Sequence, residues 1–383
     1  MCKQSAALFC SAALVDACAG AGIPIFSAPM KTDHTTHETP PEASLAIGPF
    51  ALEGRAFLAP MSGVTDIGMR RIAHRFGASL VVSEMVASSE LAQGDDEARL
   101  RAEGGGIAPH VVQLAGCDPR WMSEGARVAE GAGAAIIDIN MGCPAKRVTG
   151  GWSGSALMRD LDHAVTLIEA TVAAVKVPVT LKMRLGWDDA TRNAPELARR
   201  AEAAGVQLVT VHGRTRQQFY KGQADWTAVA PVRGATRLPL VVNGDITCTA
   251  DAQEALAASG ADAVMVGRAA MGQPWLVGQV ARALAGRDAP APSATERVEA
   301  AIEHYETLLS AYGVDVGVRH ARKHLAAYAR DAAALRAGSQ PAGHAFAALH
   351  TRLVTSEQPG EVIALLGELY RDADTTADAS FAA

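Results

Sequence analysis

The segment AIIDINMGCP (Ala135–Pro144) decides how the fold is interpreted. It begins as an apolar, β-branched run and ends in the polar Asn140, which is followed by Met and a Gly-Cys-Pro turn. A nearly continuous apolar run is typical of a parallel strand that is buried on both faces. The segment therefore predicts a buried strand whose C-terminal end gathers polar side chains.

The same arrangement recurs along the chain, with helical stretches between the runs. The candidate strands are Ala56–Pro60, Leu80–Met85, His110–Leu114, Ala135–Asn140, Val179–Arg184, Leu208–His212, Leu240–Asn243 and Ala263–Gly267. The clearest helices between them are Pro119–Gly131, Leu161–Val175, Ala194–Ala204 and Asp251–Ser259. Strands that alternate with helices predict an α/β fold, either a (β/α)8 TIM barrel or a doubly wound sheet. Polar or glycine motifs follow most of the strands, and a barrel builds its site from many strand ends, so we expect the barrel.

The remainder of the chain predicts an appendage and two tails. Helical patterns at Thr295–Tyr312, Val318–Arg330, Gly343–Leu353 and Gly360–Tyr370 predict a C-terminal all-helical domain. We expect the barrel over residues 45–288, the helical domain over 293–372 and a frayed tail over 373–383. Residues 1–44 are expected to be a disordered extension, or to precede a true start at Met30. Their apolar run resembles a signal peptide weakly and is too short to span a bilayer.

Composition restricts the classes of function. The chain has 383 residues, of which 49% are hydrophobic and 20% charged, so a sizeable core is expected and bulk disorder is not. The formal net charge is −6, so a nucleic-acid partner would need a local basic patch. The six cysteines form no CxxC pair and no zinc-like cluster with histidine. We therefore expect no metal, no disulfide framework, no membrane segment and a cytoplasmic location.

Two glycine-containing motifs close the last two strands and predict a phosphate site. Asn243, Gly244 and Asp245 follow the seventh strand, and Gly267 and Arg268 follow the eighth. Barrel enzymes commonly bind phosphate with these two loops, where glycine allows close backbone approach and arginine adds a cation. The alternative is that the glycines serve tight turns alone.

Polar residues at other strand ends predict a heterocycle and an acid. Gln113 is suited to hydrogen-bond the edge of a ring, and the Lys182 ammonium would stabilise negative charge on a reduced ring system. His212 fits the same role or that of a satisfied core histidine. Cys143 stands in a loop after the fourth strand, where a thiol can act as a nucleophile or a general acid.

Seven ordered motifs resemble the tRNA-dihydrouridine synthases. They are LAPMSGVTD (Leu58–Asp66), DINMGCPAK (Asp138–Lys146), GSAL (Gly154–Leu157), LKMR (Leu181–Arg184), HGRT (His212–Thr215), NGDI (Asn243–Ile246) and the Gly267–Arg268 pair. The resemblance spans roughly residues 45–355 and is strongest to the bacterial B subfamily.

The resemblance implies an FMN-dependent oxidoreductase that reduces specific tRNA uridines to 5,6-dihydrouridine. NADPH (or NADH) would be a transient reductant, hydride would reach C6 of the uridine, and Cys143 would protonate C5. Flavin contacts are implied for Pro60, Met61, Ser62, Gln113, Lys182 and His212, and phosphate contacts for Asn243, Gly244, Asp245, Gly267 and Arg268.

The resemblance also implies that the helical domain binds tRNA, and we expect a monomeric enzyme. Candidate tRNA contacts are Asn140, Lys146 and Arg214 near the barrel mouth and Arg319, Arg322 and Lys323 on one helix. The last three, with Arg330, share an arc of about 100° that His320 and His324 flank. The alternative is a solvated charged face. Two other functions remain open, namely an FMN barrel that reduces free pyrimidines and a non-enzymatic RNA-binding barrel.

Overall fold

The computed structural model describes residues 45–337 and 344–371. The predicted N-terminal extension and the predicted tail lie outside these residues.

Eight parallel strands close into a barrel, as predicted. They run in the order β3-β4-β5-β6-β7-β8-β9-β10, and β10 pairs with β3 to complete the circle. Their bounds are β3 (Ala56–Leu58), β4 (Leu80–Ala87), β5 (Val111–Ala115), β6 (Ile136–Met141), β7 (Val179–Arg184), β8 (Val209–His212), β9 (Leu240–Asn243) and β10 (Ala263–Val266). All eight predicted strands are confirmed. Their buried, mostly apolar faces explain why the sequence runs were nearly continuous.

Helices join successive strands and form the outer layer. They are α1 (Ile67–Arg75), α2 (Ser88–Gln93), α3 (Asp96–Ala102), α4 (Pro119–Gly131), α5 (Lys146–Thr149), α6 (Leu161–Ala174), α7 (Ala194–Ala203), α8 (Ala230–Ala235), α9 (Thr249–Ser259) and α10 (Leu276–Leu284). Aspartate side chains begin several of them: Asp66 caps α1, and Asp118 caps α4 just before Pro119 at its first turn. Short 3-10 turns occur at Gly154–Arg159, Asp189–Thr191, Thr227–Val229 and Arg268–Ala270.

A small antiparallel hairpin, β1 (Ala46–Ile47) with β2 (Phe50–Ala51), was not predicted. Its Ile47 is fully buried in a cluster with Leu80 and Ile136, which are the first residues of their strands. The hairpin therefore covers the N-terminal end of the barrel and leaves the C-terminal end for the site. Strands of two residues carry too little periodicity to be predicted from sequence.

Within the described residues, four helices follow the barrel, namely α11 (Ala294–Tyr312), α12 (Val314–Ala337), α13 (His344–Thr355) and α14 (Pro359–Tyr370). All four predicted helices are confirmed, and α12 is longer than expected. A capping box of Ser293 and Glu296 begins α11. Their apolar core includes Ile72 of α1 and Trp275 before α10, so the helical part packs directly on the barrel.

A buried ion pair ties α11 to α12. Arg297 donates to both carboxylate oxygens of Asp331 at 2.9 and 2.8 Å, and Tyr370 donates to the same carboxylate at 3.0 Å. The Arg297 guanidinium also lies over the Trp275 ring, 5.0 Å from its centroid. The pair therefore fixes the helices to each other and to the barrel.

Among the helices within residues 45–337 and 344–371, none has the length and hydropathy needed to cross a membrane.

Candidate active site

One cavity of about 700 Å³ opens at the C-terminal end of the barrel. The predicted acid and every predicted flavin and phosphate residue line it: Cys143, Pro60, Met61, Ser62, Gln113, Lys182, His212, Asn243, Gly244, Asp245, Gly267 and Arg268. Because the parallel strands all end at this face, residues far apart in sequence meet around a single volume. A cavity of this size suits a cofactor together with part of a substrate.

The Cys143 loop is held by the side chain that ends β6. The Asn140 carbonyl oxygen accepts from the backbone N–H groups of Gly142 at 3.1 Å and Cys143 at 2.9 Å. On the other side, Ser155 donates from its hydroxyl (2.9 Å) and its backbone (3.0 Å) to the Cys143 carbonyl. The loop that carries the thiol is therefore fixed from both directions.

The Asn140 amide belongs to a chain of buried hydrogen bonds. Its Nδ2 donates to Gln113 Oε1 at 2.7 Å, and Gln113 Nε2 donates to Asp138 Oδ2 at 2.6 Å. Thr180 donates to the other oxygen of Asp138, also at 2.6 Å. Burial raises the pKa of Asp138, although Gln113, Thr180 and Lys182 oppose that rise. Asn140, which is 7% exposed, thus positions Gln113 and the thiol loop in this structure, and its contact with tRNA stays a prediction.

Lys182 places a buried ammonium in the cavity wall. Its Nζ donates to Asn243 Oδ1 at 3.0 Å, and among the described residues it makes no ion pair, although the Asp138 carboxyl attracts it. Burial, with a contribution from the neighbouring Arg184, lowers the pKa of Lys182 to about 8. An ammonium without a counter-ion is costly, so the site favours an anionic or electron-rich ligand.

Arg184 and Tyr220 line the cavity and were not among the predicted site residues. Arg184 is fully buried and donates to the carbonyl of Gly142 at 2.7 Å, next to the thiol. Tyr220 is half exposed, and its ring lies 5.6 Å from the Arg184 guanidinium and 5.3 Å from that of Arg268. A strand-end arginine is visible in the sequence, but the position of Tyr220 depends on the loop after β8.

The Cys143 thiol is free and partly buried. Burial raises the pKa of Cys143, and this effect exceeds the lowering by the Ala145 backbone, Arg184 and Lys182. The thiol is therefore the stable form at neutral pH, which suits a proton donor better than a nucleophile or a metal ligand. Cys117 is also free, whereas Cys248 is disulfide-bonded, which the sequence did not lead us to expect.

His212 is neutral in this setting. Arg214 lies with Nη1 3.3 Å from His212 Nε2, and because a guanidinium donates and cannot accept, that nitrogen is the acceptor. Burial, followed by the charges of Arg184, Lys182, Arg214 and Arg268, lowers the pKa of His212 well below its usual value. The imidazole can therefore offer one neutral N–H from Nδ1.

The loop after β9 has a shape that requires glycine. Gly244 has φ of +119°, and a Cβ at this position would lie 2.6 Å from His212 Cδ2 and 2.7 Å from Ala224 Cβ. Asp245, with φ of +52°, follows directly. The backbone at Gly244 therefore has a conformation and a close packing that favour glycine, as a loop that lets its backbone approach a phosphate would need.

Asp245 and Arg214, two predicted site residues, are held to each other in the structure. Asp245 accepts from Arg214 and, at 3.0 Å, from Arg268, so its carboxylate positions cations and would repel a phosphate. Burial raises the pKa of Asp245, but the Arg214 hydrogen bond and the other donors lower it overall, so it stays ionised. Arg214 is 1% exposed and also donates to the carbonyls of Lys221 and Gly222. Arg214 therefore positions Asp245 and the loop after β8 in this structure, and its contact with tRNA stays a prediction.

The other candidate tRNA contacts lie outside the cavity. Lys146 and Arg319 are exposed, whereas Arg322 pairs with Glu357 at 3.4 Å. Lys323 is nearest to the site: its Nζ lies 3.3 Å from where a Cβ would stand on Gly63, in the loop that follows β3.

Comparison with known proteins gives one consistent family. The model of the dihydrouridine synthase (Dus) family matches residues 57–352. A probable tRNA-dihydrouridine synthase of Rhizobium leguminosarum bv. phaseoli is 54% identical over 82% of this chain and 95% of its own length. A tRNA-dihydrouridine synthase B of Xanthomonas axonopodis pv. citri is 46% identical over 75% of this chain and 87% of its own length.

A solved complex of 2-naphthoyl-CoA reductase has a TM-score of 0.51 at 13% identity, over 64% of this chain and 52% of that one. At this identity the likeness supports the barrel fold alone. The family match, by contrast, covers most of the chain and includes the strand ends that form the cavity. This chain belongs to the dihydrouridine synthase family and is an enzyme of that family.

Proposed function

We propose that this enzyme reduces uridines in tRNA to 5,6-dihydrouridine, with FMN in the barrel cavity and NADPH (or NADH) as the reductant. The observation that carries the proposal is the single cavity in which a protonated thiol, a buried ammonium and two glycine-containing loops face one another. The curated relatives bear names that refer to tRNA-dihydrouridine synthesis.

The residues around the cavity fit FMN at both ends. At one end, the loops after β9 and β10 are adjacent, since these strands pair, and Arg268 presents a guanidinium that is more than half exposed. Asp245 orients that guanidinium, and Gly244 lets the backbone approach a phosphate. At the other end, Lys182 supplies positive charge and Gln113 an amide for the edge of a ring. When bound, the flavin would supply the hydride that the uridine accepts at C6.

In this proposal Cys143 gives the proton at C5. A thiol with a raised pKa keeps its proton at neutral pH until carbanion character develops on the uridine. Asn140 and Ser155 hold the loop, and the Gly142 carbonyl is fixed by Arg184. We infer that these contacts set the distance from sulfur to the substrate, since small displacements are costly in proton transfer.

The tRNA would approach over the mouth of the cavity. Lys323 stands beside the Gly63 loop, Arg319 is exposed on the same helix, and Lys146 is exposed on α5 just after the thiol loop. These cations are a local concentration of positive charge on a chain whose formal net charge is −6. A uridine must leave its stack to enter the cavity, and the half-exposed Tyr220 ring at the cavity wall offers it an aromatic face.

The direct test compares substrates on the wild-type protein. Purified enzyme is examined for a flavin spectrum, then incubated with NADPH and either unmodified tRNA or free uridine and uracil. Dihydrouridine or dihydrouracil is measured by mass spectrometry. We expect bound FMN and dihydrouridine in tRNA alone. Turnover confined to free pyrimidines would refute the tRNA substrate, and a colourless protein without turnover would refute the flavin.

A further inference from the structure

A second group of chemistry-bearing side chains lies outside the active-site cavity, where the helical part meets the barrel. Asp66 precedes α1 of the barrel, while His304 belongs to α11 and His324 to α12. All three are buried, with 6%, 1% and 3% exposure respectively.

The spacing of their donor atoms is that of metal ligands. His304 Nε2 lies 3.1 Å from each carboxylate oxygen of Asp66, and His324 Nε2 lies 3.4 Å from Asp66 Oδ2. One donor atom from each residue can be chosen so that all lie within 4.8 Å of one another. Tetrahedral ligands at 2.0–2.1 Å from a zinc ion are roughly 3.3 Å apart, which is close to the distance from Asp66 to each histidine nitrogen.

His324 is the observation that points to a ligand. It is buried, yet neither Nδ1 nor Nε2 has a hydrogen-bond partner within the described residues. Leaving a buried imidazole without partners is unfavourable, and the hydrogen bonds around His304 do not relieve it.

The surroundings complete such a site. His304 Nδ1 lies 3.0 Å from the Tyr328 hydroxyl, the kind of outer contact that orients a ligating histidine. Asp66 Oδ1 accepts from the Met69 backbone at 3.1 Å, which leaves Oδ2 for an ion.

We propose that Asp66, His304 and His324 bind one divalent transition-metal ion, and that this ion fastens the helical part to the barrel. Two imidazole nitrogens and one carboxylate oxygen favour zinc over magnesium or calcium, which prefer oxygen ligands. Burial of all three ligands indicates a structural site.

Tag-free, chelator-treated protein tests the proposal. It is dialysed against zinc, and bound metal is measured by mass spectrometry for wild type, His324→Ala and His350→Ala, a histidine of α13 outside the cluster. We expect about one zinc per chain in wild type and His350→Ala, none in His324→Ala, and a melting temperature raised by roughly 4 °C in wild type.

Two further measurements keep the test decisive if His324→Ala fails to fold. Cobalt added to the wild-type protein should give visible bands of a tetrahedral N/O site, and Asp66→Asn, which preserves the cap of α1, should lose them. Wild-type protein without stoichiometric zinc or cobalt bands would overturn the proposal. So would equal metal content in wild type and a folded His324→Ala.

Discussion

The direction of donation in the buried hydrogen-bond chain behind the thiol loop leads to a specific prediction. From the thiol loop inward, Cys143 donates to Asn140, Asn140 to Gln113 and Gln113 to Asp138, and Thr180 donates to Asp138 from the other side. Asn140→Asp keeps the shape of the side chain but replaces its donor with an acceptor. The amide of Gln113 then faces a carboxylate on each side and can satisfy one of them.

The expected cost follows from one buried acceptor facing another at 2.7 Å. An unsatisfied buried polar group costs about 1–3 kcal/mol. At about 2 kcal/mol, the melting temperature should fall by roughly 3 °C for a chain of this size.

A second substitution restores the pattern in reverse. In the double variant Asp138→Asn with Asn140→Asp, residue 138 donates to Gln113, Gln113 donates to residue 140, and Thr180 and Cys143 keep acceptors. The double variant has the same net charge as wild type, because the carboxylate removed at position 138 is regained at position 140. We therefore expect the double variant to regain most of the lost stability.

The pH dependence has a definite sign. The new carboxyl at position 140 gains a folded-state pKa above its unfolded value, because its protonated form can donate to Gln113. The variant is therefore closest to wild type at low pH, and its deficit grows as the pH rises through the folded pKa. Thermal unfolding at pH 5 and pH 8 measures this. Equal melting temperatures of Asn140→Asp and wild type at pH 8, or no recovery in the double variant, would refute this hydrogen-bond chain.

Two further predictions concern the cofactor and the tRNA. Gly244→Ala should reduce bound flavin at least about tenfold, because the Cβ would press on His212 and the backbone has φ of +119°. The control Gly286→Ala has a positive φ but open space around it, and it should keep its flavin. Flavin absorbance per protein measures both. Lys323→Glu should weaken binding to all tRNAs and lower the slope of log affinity against log salt by about 1–2, whereas Arg371→Glu, the same charge change elsewhere in the helical part, should not. Unchanged salt slopes would remove Lys323 from the tRNA surface.

Much of the barrel could be predicted because its strands are buried on both faces. The mostly apolar composition of β7 is enough to predict a buried strand, and Lys182 stands out in it as a candidate site residue. The hairpin of β1 and β2 has no such signal, since each strand has two residues.

The site was predictable as a set of strand ends but not as a set of contacts. Spacing does not show that Arg214 turns inward to Asp245, so an arginine at the barrel mouth was expected to reach tRNA. His324 was expected beside a basic stripe, yet it faces Asp66 of the barrel. Both outcomes depend on tertiary packing between distant segments, which local sequence patterns do not encode.

The role of Cys143 as proton donor is the central claim, and one measurement tests it most directly. Enzyme loaded with flavin and reduced beforehand is mixed with unmodified tRNA, and dihydrouridine formed in a single turnover is counted by mass spectrometry for wild type, Cys143→Ala and Cys117→Ala. We predict that Cys143→Ala keeps flavin and its reduction by NADPH but forms dihydrouridine about 10²–10⁴-fold more slowly, while Cys117→Ala matches wild type. A wild-type rate in Cys143→Ala would contradict the account.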